Sequence, residues 1–234
     1  MGKISVVFPT RKRAKLLKKS IDSLIKNANN FEKNVELIIG MDLDDSKTIS
    51  EVVDIYKDFK NISMIITKRY GYQYMHEYIN RLCTLSSGDW LFLWNDDCTI
   101  ESKDWDLEIL KYDDSFVVIN PSVINGPFGG LPFPVLPKEW FDVVGHFSLN
   151  CSCDTWIQEI LEYLKKNAIQ KDLSVYTKNI AIHHDRCEET GNNDDETYRE
   201  RVYDDKVFYS LDSMNQRIED AITLSKYLSE NYGA

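Results

Sequence analysis

An α/β fold with a mostly parallel central sheet, flanked by helices on both faces and closed by a C-terminal helical extension, is the architecture this sequence predicts. Three observations carry it. Short apolar runs alternate with helical patterns over the first two-thirds of the chain. The strand-like runs ISVVF, VELIIG and WLFLW are apolar on both sides, as strands covered on both faces are. The last stretch is helical in spacing, with Ser213 and Gln216 placed as a capping box ahead of Ile218, Ala221, Ile222 and Leu228.

Taken in order, residues 4–8 form the first predicted strand, and Leu16, Leu17, Ile21, Leu24 and Ile25 then recur at helical spacing. A second strand is expected over 35–41, a helix over 48–59, a strand over 62–67, a helix over 74–85 and a strand over 89–94, a run of βα units. A helix over 104–112 leads to a strand over 116–120. The stretch NGPFGGLPFPVLP, residues 125–137, holds three Gly and four Pro in thirteen residues, a density at which no regular element is expected. Helices over 138–144 and 155–166, a strand within 173–182 and the polar loop HHDRCEETGNNDDE complete the chain before its terminal helix.

With 234 residues, 43% of them hydrophobic, the chain suits one domain with one sizeable core. Its 28 basic and 38 acidic residues give a net charge of -10, which repels nucleic-acid phosphates unless a local basic patch intervenes. The densest basic run, RKRAKLLKK at 11–19, is spaced like the wet face of a helix, so no nucleic-acid partner is expected. The five cysteines are odd in number and lack CxxC spacing, which argues against a disulfide framework or a Cys-rich zinc site and fits a reducing compartment. No apolar segment suits a signal peptide or a membrane span, and Gly2 is a poor myristoylation signal with Val6 where Ser or Thr is wanted; the expectation is a cytoplasmic protein.

Ligands of open parallel sheets bind beyond the carboxyl ends of the strands. The strand at 89–94 exits into Asn95-Asp96-Asp97, the first into PTRKR and the second into MDLDDS. Two adjacent carboxylates repel each other unless a cation or a set of donors neutralises them, and Mg2+ or Mn2+ is commonly held by one or two carboxylates completed by phosphate oxygens. The alternative is that Asp96 and Asp97 only cap backbone N–H groups of the next loop.

The segments ISVVFPTRKRAKLLKKSIDSL, VELIIGMDLDDSKT and GDWLFLWNDD, in this order and spacing, resemble the nucleotide-binding half of the family 2 glycosyltransferases, which have the GT-A fold. The resemblance covers roughly residues 3–100. It implies a nucleotide pocket lined by Pro9, Thr10 and Arg11, a base contact from Asp42, and a DXD-type metal and ribose motif at Asn95-Asp96-Asp97. Asn95 stands where the family usually has Asp and adds no charge, so the metal falls to Asp97 and the ribose or a secondary contact to Asp96. Arg69, with Gly71, Tyr72 and Tyr74, falls where the family has a loop over the nucleotide; an Arg there suits a phosphate, and equally a solvated loop.

The later segment FPVLPKEWFDVVGHF is similar to the family's acceptor side, which precedes an acidic motif; that motif maps to Asp154, the implied catalytic base, whose other reading is the N-cap of the helix that follows. A histidine from the region of His183 and His184 completes the metal shell in many GT-A enzymes. Successive strand residues face opposite ways, and His184, sharing a face with Ile180 and Ile182, is the favoured ligand. The tail HHDRCEETGNNDDETY also resembles phage and viral glycosyltransferase-like proteins, which would place the protein in a host cytoplasm.

The resemblance thus implies a single GT-A-like domain over 1–234, with a nucleotide-binding half (1–100), an acceptor and metal half (101–210) and a terminal helix (211–234). The implied reaction is a metal-dependent, inverting transfer from a nucleotide-diphosphate sugar, with a UDP-sugar favoured over a GDP-sugar, to an acceptor hydroxyl on a glycan, protein or small molecule. Two other functions stand beside it. A nucleotidyltransferase lacks its Gly-rich loop here, since FPTRKR follows the first strand. A non-catalytic nucleotide-sugar or glycan binding module is kept open by Asn95 and by Cys153 where a Glu would precede Asp154. Phe133, Trp140 and Trp156 are either an acceptor platform or core.

Overall fold

The computed structural model of the protein describes residues 2–125, 129–168, 172–185, 199 and 205–233. Among the described residues eight strands form one sheet: β1 (Ile4–Thr10), β2 (Val35–Asp42), β3 (Ile62–Thr67), β4 (Trp90–Leu93), β5 (Cys98–Ile100), β6 (Val118–Val123), β7 (Val135–Pro137) and β8 (Ser174–His184), in the order β3-β2-β1-β4-β7-β6-β8-β5. The helices are α1 (Ala14–Asn27), α2 (Phe31–Asn34), α3 (Ser46–Tyr56), α4 (Met75–Leu85), α5 (Trp105–Leu110), α6 (Lys138–Val144) and α7 (Cys153–Tyr163), with a short turn at Asp205–Phe208 and the C-terminal helix Leu211–Tyr232.

The half built from β3, β2, β1 and β4 is parallel, as the alternation of strands and helices requires. Beyond it the sheet is mixed: β7 runs antiparallel to both β4 and β6, and β5 antiparallel to β8, while β6 and β8 are parallel. The Gly/Pro stretch is therefore not wholly irregular. Its last three residues enter the slot beside β4, with Leu91 opposite Leu136. They can do so because a short return without a crossover helix suits antiparallel pairing. Pro9, which has no N–H to give, sits past Val7, the last residue of β1 paired with β4.

Alternation along β1 divides the core. Ile4, Val6 and Phe8 pack with Leu17, Ile21 and Leu24 of α1 and with Trp105 of α5, whereas Val7 joins Ile79 and Leu82 of α4 on the other face. On that second face α6, α7 and the C-terminal helix complete the layer through Trp140, Trp156, Ile160, Leu224 and Leu228. Phe133, Trp140 and Trp156 are buried, so they are core and not a sugar platform. The C-terminal helix starts earlier than its sequence spacing suggests. Ser210 is the cap, its hydroxyl accepting from the Ser213 N–H at 3.3 Å, while Gln216 donates to Asp220 at 3.0 Å instead of closing a box with Ser213. Buried Asp220 also takes the indole N–H of Trp156 at 3.1 Å and lies 3.0 Å from His146, which ties this helix to α7.

At the amino ends of β1 and β2, Glu36 ties the strand ends to the loop before β4. It accepts from Lys3 Nζ (2.6 Å), Ser5 Oγ (2.6 Å), Ser87 N (2.6 Å) and Ser87 Oγ (2.7 Å). Gly88 is needed beside this cluster, because a Cβ there would stand 2.6 Å from the Lys3 carbonyl oxygen. Burial acts to raise the Glu36 carboxyl, but these donors win and hold it at about 2. A depressed native pKa gives stability that is present above the unfolded value and is lost as pH falls through the native one. Glu36→Gln is therefore expected to lower stability at neutral pH and to flatten the loss between about pH 4.5 and pH 2. Urea midpoints of both proteins across that window check this, and parallel curves would refute it.

Candidate active site

The carboxyl ends of β1, β2 and β4 open onto one cleft of about 330 Å³. Ten of the residues singled out in the sequence lie on its wall. Pro9, Thr10 and Arg11 come from the end of β1, Asp42 from β2 and Arg69 from the loop after β3. Asn95, Asp96 and Asp97 come from the exit of β4, Asp154 from the first turn of α7 and His184 from the last residue of β8. Gly71 and Tyr72 also line it, whereas Tyr74 is exposed and His183 is outside it.

The loop after β1 is held by acidic residues on two sides. Arg11 donates to Asp42 at 2.9 Å and to Asp44 at 2.5 Å. The Lys12 N–H donates to Asp45 at 2.6 Å, which secures a residue with φ of 56°, uncommon for a side chain of that size. Arg13 reaches Asp96 at 3.1 Å and Asp97 at 3.4 Å. The basic run at 11–19 is thus not one wet face. Lys12, Lys15, Lys18 and Lys19 are exposed, but both arginines turn inward because buried carboxylates at the neighbouring strand ends need a cation close by.

Asp42 accepts from Arg11 on one oxygen and from the Tyr78 hydroxyl on the other; Tyr78 in turn accepts the Tyr70 N–H at 2.8 Å. Burial and the Asp42 carboxylate push the Tyr78 phenol up to about 12, so it stays a donor at any working pH. These two donors, one on each oxygen, fix the orientation of the Asp42 carboxylate at the cleft wall.

Asp96 and Asp97 separate electrically. Burial raises the Asp96 carboxyl, with Asp97 adding to the rise, against Arg13 and the Thr10 hydroxyl, which donates to it at 2.7 Å. Burial would raise Asp97 too, but His184, with Nε2 at 3.2 Å from Asp97 Oδ1, and Arg13 outweigh it and hold that carboxyl below its ordinary value. His184 arrives because β5 pairs with β8 directly after the tripeptide, Cys98 opposite His184. Its backbone is gripped by Asn125, which donates to the His184 carbonyl at 2.7 Å and accepts its N–H at 2.9 Å, and its ring meets Phe133 edge-on at 5.1 Å.

A divalent cation fits this donor set. Two cis ligands at octahedral Mg2+ distances stand about 3 Å apart, close to the 3.2 Å between Asp97 Oδ1 and His184 Nε2.

Asp154 is not the cap of α7. It is the second helical residue, behind Ser152 at the cap position, and its Oδ1 accepts from the Thr155 N–H at 2.8 Å. Asn150, which accepts from the Ser152 N–H at 3.0 Å, shapes the turn that leads into the helix. Asp154 is half-buried on the cleft wall.

Arg13, Tyr78 and Asn125 escaped the sequence reading. Arg13 carried a signal: two arginines at a strand exit, where the rest of the run is lysine, suit paired carboxylates better than solvent does. Tyr78 and Asn125 gave none, since each acts through a partner distant in sequence.

No curated protein sequence matches the chain. Among solved structures it is similar in fold to S. aureus TarS 1-349 in complex with UDP-GlcNAc, with a TM-score of 0.66 and 14% identity over 97% of this chain and 73% of that one. It is similar also to the mannosyltransferase PcManGT from Pyrobaculum calidifontis in complex with GDP-Man and Mn2+, with a TM-score of 0.62 and 10% identity over 100% of this chain and 76% of that one. The model of glycosyl transferase family 2 matches residues 5–149, well over half of the 234, and that span contains the arginines and carboxylates gathered at the ends of β1, β2 and β4. By that match the chain belongs to glycosyl transferase family 2.

Proposed function

We propose that the protein moves a sugar from a nucleotide-diphosphate donor, a UDP-sugar in preference to a GDP-sugar, to an acceptor hydroxyl with inversion at the anomeric carbon, and that it needs Mn2+ or Mg2+ to do so. The observation that carries this is the convergence on one cleft of a buried base-side carboxylate, two arginines, an Asp-Asp pair with a histidine, and a separate carboxylate at the start of α7. The donors bound by TarS and PcManGT, UDP-GlcNAc and GDP-Man, support the substrate class.

In this reading Asp42, held by Arg11 and Tyr78, takes the base, and Asp96 with Thr10 takes the ribose hydroxyls. Asp97 and His184 would hold the cation, which when bound supplies Lewis-acid stabilisation to the departing diphosphate. Arg13, and Arg69 from the loop after β3, add positive charge where charge builds on that diphosphate. Asp154 accepts the proton of the acceptor hydroxyl as its oxygen attacks the anomeric carbon; the C–O bond to the diphosphate breaks as the new one forms. One displacement of this kind inverts the centre.

Thermal unfolding with UDP- and GDP-sugars, with and without Mn2+, tests the binding half. A nucleotide at a hundredfold its Kd adds about 2.7 kcal/mol, which in a chain of this size raises Tm by roughly 5–10 °C. No rise with either nucleotide at millimolar concentration overturns the assignment. Slow hydrolysis of the bound sugar nucleotide separates a transferase from a binding module, and the anomeric proton signal of a transfer product reads the stereochemistry.

A further inference from the structure

The cation proposed above would meet a third side chain. Asp97, Cys98 and His184 each offer a ligand atom, and the three atoms lie within 4.8 Å of one another. Cys98 Sγ is 3.7 Å from the same Asp97 Oδ1 that stands 3.2 Å from His184 Nε2. For a tetrahedral ion with usual zinc bond lengths, sulfur–oxygen and nitrogen–oxygen ligand separations are about 3.6 Å and about 3.3 Å. Two of the three separations therefore already stand at the spacing of such a triad, and the third, sulfur to nitrogen, lies within 4.8 Å. The register explains how: Cys98 opens β5 directly opposite His184 at the end of β8, so the pairing that delivers the histidine delivers the thiol with it. Cys98 is 1% exposed and adjoins the cleft-lining Asp97 without itself lining the cleft.

We propose that Cys98 is a third protein ligand of the cation, and that it gives the site a preference for Co2+ or Zn2+ over Mg2+. The inference rests on the metal reading above and deepens it. Oxygen donors alone suit Mg2+; a thiolate beside an imidazole shifts the preference to softer ions, which also stand higher in the general affinity order. On binding, the Cys98 thiol gives its proton to solvent and its sulfur bonds the ion, so one proton is released per ion from this residue. The ligands come from the protein side, leaving the cleft side of the ion to diphosphate oxygens.

Co2+ titrated into the full chain, alone and with UDP, decides the matter by absorption spectroscopy. The expected result is a near-ultraviolet sulfur-to-cobalt charge-transfer band growing in step with the visible d–d bands, lost in Cys98→Ser and Cys98→Ala and kept in Cys151→Ser. By calorimetry the Zn2+ to Mg2+ affinity ratio should fall about tenfold or more in Cys98→Ser, on the scale that even an outer-shell partner commands. Visible d–d bands without the charge-transfer band in the wild type, or a band that survives both Cys98 variants, overturn the role of Cys98 and leave the Asp97–His184 reading standing. Absence of any Co2+ binding, with UDP present, overturns both. The wild-type spectrum is decisive by itself should either variant fail to fold.

Discussion

Asp97→Asn is expected to abolish the part of UDP binding that depends on Mn2+, leaving an affinity that no longer responds to the ion. The substitution keeps the shape of the side chain and removes the charge that His184 and Arg13 both face, at 3.2 Å and 3.4 Å. Loss of an outer-shell partner already costs about 10- to 100-fold in metal affinity, so a direct ligand should cost at least about a hundredfold. The fold should tolerate the change, because Arg13 keeps its contact with Asp96 at 3.1 Å and no buried cation is left alone. Asn95→Ala should be much milder, since Asn95 is exposed and carries no charge. Calorimetric titration of UDP with and without Mn2+ on the three proteins measures this. Equal metal affinity in the wild type and Asp97→Asn would remove Asp97 from the site.

The second large effect belongs to Asp154. Asp154→Asn should lower transfer by about 10²–10⁴-fold, the usual contribution of a positioned base, while the Kd for the donor stays the same, because the base acts on the acceptor. Capping does not confuse the comparison, since Asp154 is inside α7 and Ser152 occupies the cap position. Asparagine still offers an oxygen to the Thr155 N–H, so its stability cost is confined to the lost charge at a helix start, about 0.3–1 kcal/mol. Asp154→Ala loses that acceptor as well and should unfold at a lower midpoint than Asp154→Asn, with an equal loss of turnover. Turnover and unfolding midpoints measured side by side separate the two roles. A fully active Asp154→Asn excludes this residue from the chemistry and favours a binding module.

The parallel half of the sheet was legible because β1 and β2 are long and apolar on both faces, and its strands are separated by helices with clear spacing. Its strand exits were legible for the same reason, since a known sheet direction says where PTRKR, MDLDDS and NDD must gather. The second half was harder. β5 is the tripeptide CTI and β7 the tripeptide VLP, too short for any period, and both are strands because a neighbour needs a partner. The cap of the C-terminal helix was misplaced by three residues because Ser210 and Ser213 offer the same chemistry, and only the chain path selects between them. Arg13 was hidden by composition, as one cation in a run of them, until the two carboxylates it serves were brought near. Residues 186–198, expected as a polar loop with its DETY segment, lie outside the described residues.

The link between β4 and β5 sets the curvature of the whole sheet. These strands are four steps apart in the sheet order, about 19 Å if the sheet lay flat. The chain from Leu93 to Cys98 could reach only about 18 Å fully drawn out, and residues 96 and 97 in it are bent into a turn. The sheet must therefore curl enough to bring β5 closer to β4 than a flat sheet would. β8 makes this bend where its register against β6 jumps, from Pro121 opposite Thr177 to Ser122 opposite Ala181. Asp97 lies on the β4–β5 link and His184 on the strand that β5 pairs with, so the tether too short for a flat sheet also delivers the carboxylate to the histidine.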